Sequence, residues 1–430
     1  MIATLTGLFK NKEIRNKILF TLGVLFIFRF GAAIPVPGVD TQAVLQKFNG
    51  SGIFGMMNLL GGGAMEKFSI FALGIGPYIT ASIVIQLLSM DIIPPLAELS
   101  KQGASGKKQL DRYTRYLGVV LCFVQAFAIT YTFNAQYGVL IDTSVKSYIY
   151  IITLLTAGSM FLLWLGDRIT IKGIGNGISM IIFAGIVANL PANFMGAYAT
   201  FIGAATDATL MFGIIKFILY LLVYLLIVVL VVYVSTAVRK IPIQYTSSAI
   251  QDKPKKDMTY LPLKINSASV IPVIFASALM IIPGTIASFL PENTILAGIK
   301  NVFNLQSYHG LVIYVVMIIL FTFFYTKLQM DPQKIAENLG KSNSYIPGVR
   351  PGVETKEFIN TVLCRITVFG AVSLAFIALL PHIVPMVTNL PASLSLGGTG
   401  LIIVVGVAME TTKQLTGKLT QKSYRGFLQR

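Results

Sequence analysis

The sequence is poor in charge: Asp, Glu, Lys and Arg make up 12% of its 430 residues. A soluble domain carries roughly a quarter, because its whole surface must face water. A chain of this size without that polar coat is not an ordinary soluble domain. Disorder is excluded as well, since 55% of the residues are hydrophobic and disordered segments stay open only by lacking apolar surface to bury. Cysteine is scarce, with Cys122 and Cys364 alone, which rules out a disulfide framework. Both fall in or beside apolar runs, so neither reports a redox compartment. The 38 glycines and 18 prolines are too few for a collagen-like chain. The two histidines, His309 and His382, lie at the ends of apolar runs and cannot build a metal cluster by themselves.

Acidic residues are the scarcest charge, 17 against 34 basic ones. Each falls in a loop or at the end of an apolar run, Glu410 being the deepest. The intramembrane carboxylate or histidine with which coupled transporters hold protons or sodium is therefore missing. No nucleophile motif, P-loop or zincin helix is present. Gly173 to Gly177 reads Gly-Ile-Gly-Asn-Gly, but it lacks the third-glycine spacing and the preceding strand of a dinucleotide site, and reads instead as a helix-start turn. No catalytic residue, cofactor or resident metal is expected.

What the sequence does have is long apolar runs. By the rule of about 20 apolar residues per crossing, about ten spans are expected. They lie near 18–34, 68–89, 115–134, 148–166, 174–190, 211–235, 268–290, 309–326, 362–381 and 396–410. The run from Phe217 to Val234 is far too long for a barrel strand, so the spans are helical. The fold expected is an all-α polytopic membrane protein. Ten spans put both termini on one side, and that side collects 28 of the basic residues, the other side five. The basic side is expected to be cytoplasmic. It carries a charge near +16, which leaves the outer face neutral. Lys10, Lys12, Arg15 and Lys17 ahead of an apolar run resemble a signal peptide, but Arg29 interrupts the run, and a first span is the expected reading.

The ten spans divide five and five, giving expected halves 1–190 and 191–430. The second span of each half is the irregular one: Gly74, Gly76 and Pro77 fall in one, Pro272, Pro283 and Gly284 in the other. Gly and Pro in a span free backbone groups that must face protein or water, so the pair is read either as ordinary kinks or as the walls of a pathway between inverted repeats. Ahead of the first of them, Ile53 to Met65 is apolar, glycine-rich and too short to cross. It is either a re-entrant piece or an amphipathic surface helix. Arg29 is the one charge at depth, a position that costs about 2.5 to 3.5 kcal/mol at a span centre. It is expected near the outer end, either packed on carbonyls or snorkelling, or touching a passing substrate.

Two basic-side loops, Arg239 to Ile265 and Lys327 to Glu357, are longer than antiparallel helices need. In the second, Asp331-Pro332 predicts a capped helix that stops near Gly340. Beyond it Tyr345 to Gly352, Tyr-Ile-Pro-Gly-Val-Arg-Pro-Gly, is a stiff tip presenting Arg350, and its length and stiffness favour a docking element over mere attraction to anionic lipid.

Five stretches together resemble the SecY family, the channel subunit of the bacterial protein translocase. They are Arg29 to Asp40, Ser69 to Gln86, Trp164 to Ser179, Tyr260 to Asn266 and Tyr345 to Gly352. The resemblance implies an hourglass pore between two inverted five-helix halves, with a lateral gate between the second and seventh spans. It places a pore ring on Ile75, Ile79, Ile178, Ile182, Ile274 and Ile403. Stiff β-branched side chains suit such a collar, which excludes ions by dewetting and offers a passing chain no specific hydrogen bond. It places a plug on Ile53, Phe54, Met56, Met57, Leu59 and Leu60, with Gly61, Gly62 and Gly63 as its hinge. It places the gate on Thr80, Ser82, Gln86, Gln125, Ile271 and Ile274, where weak polar contacts would part for a signal sequence. Arg239, Lys240 and Arg350 become docking residues for the motor ATPase SecA and the ribosome, since a guanidinium pairs bidentately with carboxylate or phosphate. The middle of the first loop, Gln251 to Asp257, carries lysines where many relatives are richer in arginine. Further partners implied are small SecE and SecG type membrane subunits, signal sequences, unfolded polypeptides and membrane lipid. The location implied is the bacterial plasma membrane. The rival reading, a small-solute transporter, lacks the intramembrane acids. An intramembrane protease lacks nucleophiles and metal ligands.

Overall fold

In a computed structural model, the described residues are 11–47, 57–58, 61–90, 92–203, 210–245, 259–287, 298, 302–305, 307–388 and 392–428. They form helices α1 (Lys12–Ala32), α2 (Thr41–Lys47), α3 (Gly76–Leu88), α4 (Pro94–Lys101), α5 (Ala104–Tyr137), α6 (Val145–Lys172), α7 (Gly177–Tyr198) and α8 (Leu210–Thr236). Strands β1 (Val238–Tyr245) and β2 (Thr259–Lys264) follow, then α9 (Ile271–Ala287), α10 (Tyr308–Gln329), α11 (Pro332–Lys341), β3 (Ser344–Tyr345), α12 (Val353–Thr388) and α13 (Ala392–Leu428). Ten of these helices, α1, α3, α5 to α10, α12 and α13, coincide with the ten expected spans. Among the described residues, α5, α6, α7, α8, α10 and α12 are each long and apolar enough to cross a membrane.

The helices run past the apolar windows because their ends are polar and capped. Asn176 starts α7 by accepting the Ile178 and Ser179 amides at 3.1 and 3.3 Å, which makes Gly173 to Gly177 the helix-start turn expected of it. Gly175, in the same turn, has φ of 77°, a conformation that glycine adopts without cost. Thr21 in α1 accepts the Ile174 amide at 3.1 Å and ties the turn to the first span. Asp331 caps α11 through the Gln333 amide at 3.0 Å, and the helix ends at Lys341, close to the expected stop.

Helix α8 shows how lipid and core share one helix. It buries Gly213, Tyr220, Tyr224, Ile227 and Val231 and exposes Leu222, Leu225 and Val229 on the opposite side. A helix apolar all round is at home only where its outer face meets hydrocarbon.

The broken spans are only partly as expected. α3 has 13 residues, which reach about 20 Å against about 30 Å of hydrocarbon. The missing length is the non-helical stretch from Gly61 to Ile75, where Phe68 and Gly74 have φ of 44° and 57°. Its freed backbone groups are satisfied by protein: Ser159 of α6 donates to the Gly74 carbonyl at 2.9 Å, and the Ile70 amide donates to the Ile34 carbonyl at 3.2 Å. In the other half the prolines do not break the helix. Pro272 sits in the first turn of α9, where its missing N–H costs nothing, and Pro283 lies within the helix. The irregular backbone comes just before, with Ser269 at φ of 57°.

The two long loops meet in an antiparallel sheet of order β2-β1-β3, which apolar-run counting did not foresee. Arg239 pairs with Leu263, Lys240 with Pro262 and Gln244 with Tyr345. Under it Ile241, Ile243, Leu263, Leu339, Ile346, Ile359 and Leu363 form a second core, separate from the one inside the bundle.

Candidate functional site: collar, inserted segment and gate helices

The expected ring residues lie in the bundle core. Ile75, Ile79, Ile182, Ile274 and Ile403, from the turn before α3 and from α3, α7, α9 and α13, are each at most 5% exposed and belong to one buried cluster; Ile178 is half-buried against it. These five stiff, branched side chains, four from helices and one from the turn before α3, are the dry, apolar kind that a collar would need.

Of the expected plug, Ile53, Phe54, Met56, Leu59 and Leu60 lie outside the described residues, as does the lysine-bearing Gln251 to Asp257. Met57, Gly61, Gly62 and Gly63 are described. Met57, Ala64 and Met65 are buried in the same cluster as the isoleucines, so the described part of the segment is inserted in the bundle rather than laid along its surface. The glycines meet a packing demand. Gly62 and Gly63 have φ of 71° and 83°. A Cβ on Gly62 would stand 2.5 Å from Cα of Gly185 in α7, and one on Gly63 would stand 2.8 Å from Oδ1 of Asn189. Arg29, in the last turn of α1, donates from Nη1 to the Gly62 carbonyl, so carbonyl packing is the alternative that the structure shows for this charge. Gln125 of α5 donates to the Met57 sulfur at 3.9 Å.

At the expected gate α9 packs against α3 and α5. Thr80, Ser82, Gln86, Gln125 and Ile271 are all half-buried, and Ile274 is buried. The polar contacts of these residues run within α3, to α10 and to the inserted segment. Gln86 donates to Ser82 within α3 at 3.0 Å and accepts from the Tyr325 hydroxyl of α10 at 3.1 Å, while Gln125 turns to the inserted segment. Tyr325 went unnoticed in the sequence because a tyrosine near a span end reads as an interfacial anchor. Gly185 and Asn189 were missed for a related reason, since what matters is the backbone they meet.

Arg239 and Lys240 are exposed on β1. The Arg350 side chain is 87% exposed, with Glu354 3.9 Å away. Its tip is held by Ile346 in the second core and by Thr355 donating to the Arg350 carbonyl at 2.8 Å. The sheet and second core thus join both expected docking loops into one body. Among the described residues, no group of three or more His, Cys, Asp or Glu could hold a metal.

Comparison with known proteins agrees with this fold. The SecY family model matches residues 69–412. The chain is 47% identical to the protein translocase subunit SecY of Staphylococcus aureus and 46% identical to that of Staphylococcus carnosus, each over 99% of both chains. Among solved structures, it superposes on a protein conducting channel with a TM-score of 0.64 at 20% identity. It also superposes on a SecY structure in which the plug domain stabilizes the closed state, with a TM-score of 0.66 at 20% identity. Each match covers 94% of this chain and 92% of the other. Sec61 from a canine ribosome-channel complex superposes with a TM-score of 0.61 at 19% identity over the same shares. On the strength of its family-model match and its near-full-length relatives, the chain belongs to the SecY family of protein translocase subunits.

Proposed function

We propose that the chain is the protein-conducting channel of a plasma-membrane translocase, with no catalytic chemistry of its own. It passes unfolded polypeptides across the membrane and releases apolar helices sideways between α3 and α9. The observation that carries this is the single buried cluster holding Met57, Ala64 and Met65 together with Ile75, Ile79, Ile182, Ile274 and Ile403. A continuous apolar plug and collar seals against ions by excluding water, yet makes no directional bond that a moving chain would have to break. Isoleucine side chains can part and close again without leaving a buried polar group unpaired.

In this reading residues 1–190 and 191–430 are the two halves of the pore. Both termini and the sheet-bearing end face the cytoplasm, following the basic residues. There Arg239, Lys240 and Arg350 meet the driving partner, SecA or the ribosome, whose acidic or phosphate groups a guanidinium can grip. The long apolar faces of the bundle are left for lipid and for small SecE and SecG type subunits.

The test is reconstitution. The full chain, with whatever small membrane subunits copurify, is placed in vesicles with SecA, ATP and an unfolded secretory substrate. Protection of the substrate from added protease supports the channel. Absence of protection, together with saturable uptake of a small solute, would sink it.

A further inference from the structure

Arg29 reaches out of α1 to the segment read above as the plug. Its guanidinium donates to the carbonyl of Gly62, a residue whose φ of 71° belongs to glycine's part of conformational space. The same turn is pressed from two further sides. Phe28, next to Arg29 and 1% exposed, comes within 3.4 Å of where a Gly62 Cβ would be, and the backbones of Gly62 and Gly185 approach too closely for any side chain on either. The Gly61 and Gly63 amides bond back to the Met57 and Asn58 carbonyls at 2.8 Å each, which ties the glycine turn to Met57.

We propose that Arg29 is the latch of this segment: it holds the Gly62 turn in a seat formed by Phe28 and Gly185, and so keeps the channel shut until a polypeptide arrives. The proposal rests on reading the segment as the channel's plug. A hydrogen bond from a charged donor is about twice as strong as a neutral one, which suits a latch that must withstand thermal motion. A polypeptide entering the funnel brings carbonyls of its own. One of them can take the guanidinium as Gly62 leaves, so opening exchanges a bond instead of losing it. This also explains a cation near the end of an apolar span: it has a fixed partner when the channel is closed and a replaceable one when it is open.

The test compares resting ion conductance in planar bilayers for the full-length channel carrying Arg29→Met, Arg29→Lys, a deletion of residues 53–64, and the deletion combined with Arg29→Met. Loss of a bond to a charged group predicts about a tenfold or greater rise in resting conductance for Arg29→Met. Arg29→Lys, which keeps a charged donor, should stay near the parent. The combined variant should leak no more than the deletion alone, because a latch has nothing to hold once the plug is gone. If the deletion leaks while Arg29→Met stays tight, the latch is wrong and the plug stands. Additive leaks would also overturn the latch. If neither variant leaks, the plug reading itself fails. Should Arg29→Met not accumulate in the membrane, Gly185→Val, which pushes on Gly62 from the other side of the seat, is the second variant. Its expected result is the same leak, absorbed by the deletion, and a tight Gly185→Val channel would count against the seat.

Discussion

Tyr325 donates its hydroxyl hydrogen to Oε1 of Gln86 at 3.1 Å, tying α10 to α3, while its ring stands edge-on to Phe275 of α9 with centroids 5.1 Å apart at 79°. One side chain therefore touches both walls of the proposed gate. Its helix leads within a few residues into Asp331 and the sheet-bearing loops. Interhelical hydrogen bonds in membranes average about 0.6 kcal/mol, enough to bias a gate without locking it. Tyr325→Phe keeps the ring contact and removes the bond, so substrates with weakened signal sequences should be exported about two- to threefold better. Unchanged export of such substrates would show that the bond does not restrain opening.

Reversal of Arg350 separates docking from folding. The side chain is exposed and its partner Glu354 is 3.9 Å away, an ion pair of about 0 to 1 kcal/mol. Arg350→Glu should leave the chain's own membrane insertion and thermal stability intact while SecA-driven secretion is lost. Normal secretion by this variant would remove the docking role.

The tip can also be disabled from below. Ile346 is 3% exposed in the second core, and truncating such a residue to alanine costs about 2 to 5 kcal/mol locally. Ile346→Ala should loosen the sheet and tip, seen as faster amide exchange around β3 and α11. It should weaken SecA binding although Arg350 is unchanged, and full binding alongside fast exchange would mean the tip need not be rigid.

The collar makes a separate prediction. Replacing Ile182 or Ile403, each 2% exposed or less, by glycine opens a cavity at the waist and lets water in. Resting ion conductance should rise, further in the double variant than in either single one. A double variant as tight as the parent would remove these residues from the seal.

Helices were legible from long apolar runs and from capping chemistry, as at Asn176 and Asp331, because both signals are local. The sheet was not. Pro242 and Pro262 argue against strands, and they are tolerated because β1 pairs with β2 from Val238 to Ile243 and with β3 only at Gln244 and Tyr245, which leaves Pro242 on a stretch paired on one side. The start of the second span was also hidden, since nothing before Gly76 shows that the Gly74 carbonyl will find Ser159, 85 residues away.

By itself the sequence determined that this chain lives in a membrane, how many times it crosses, and which loops are basic. Apolar run length and charge counts report a residue's medium, and the medium is decided locally. Only the tertiary structure decided which isoleucines are buried in the bundle core, that Gly62 must be glycine because Gly185 lies against it, and that Arg29 spends its charge on a carbonyl 33 residues away. Those are pairings between distant segments, set by close packing and by the need to satisfy every buried backbone group. No single stretch of sequence carries them.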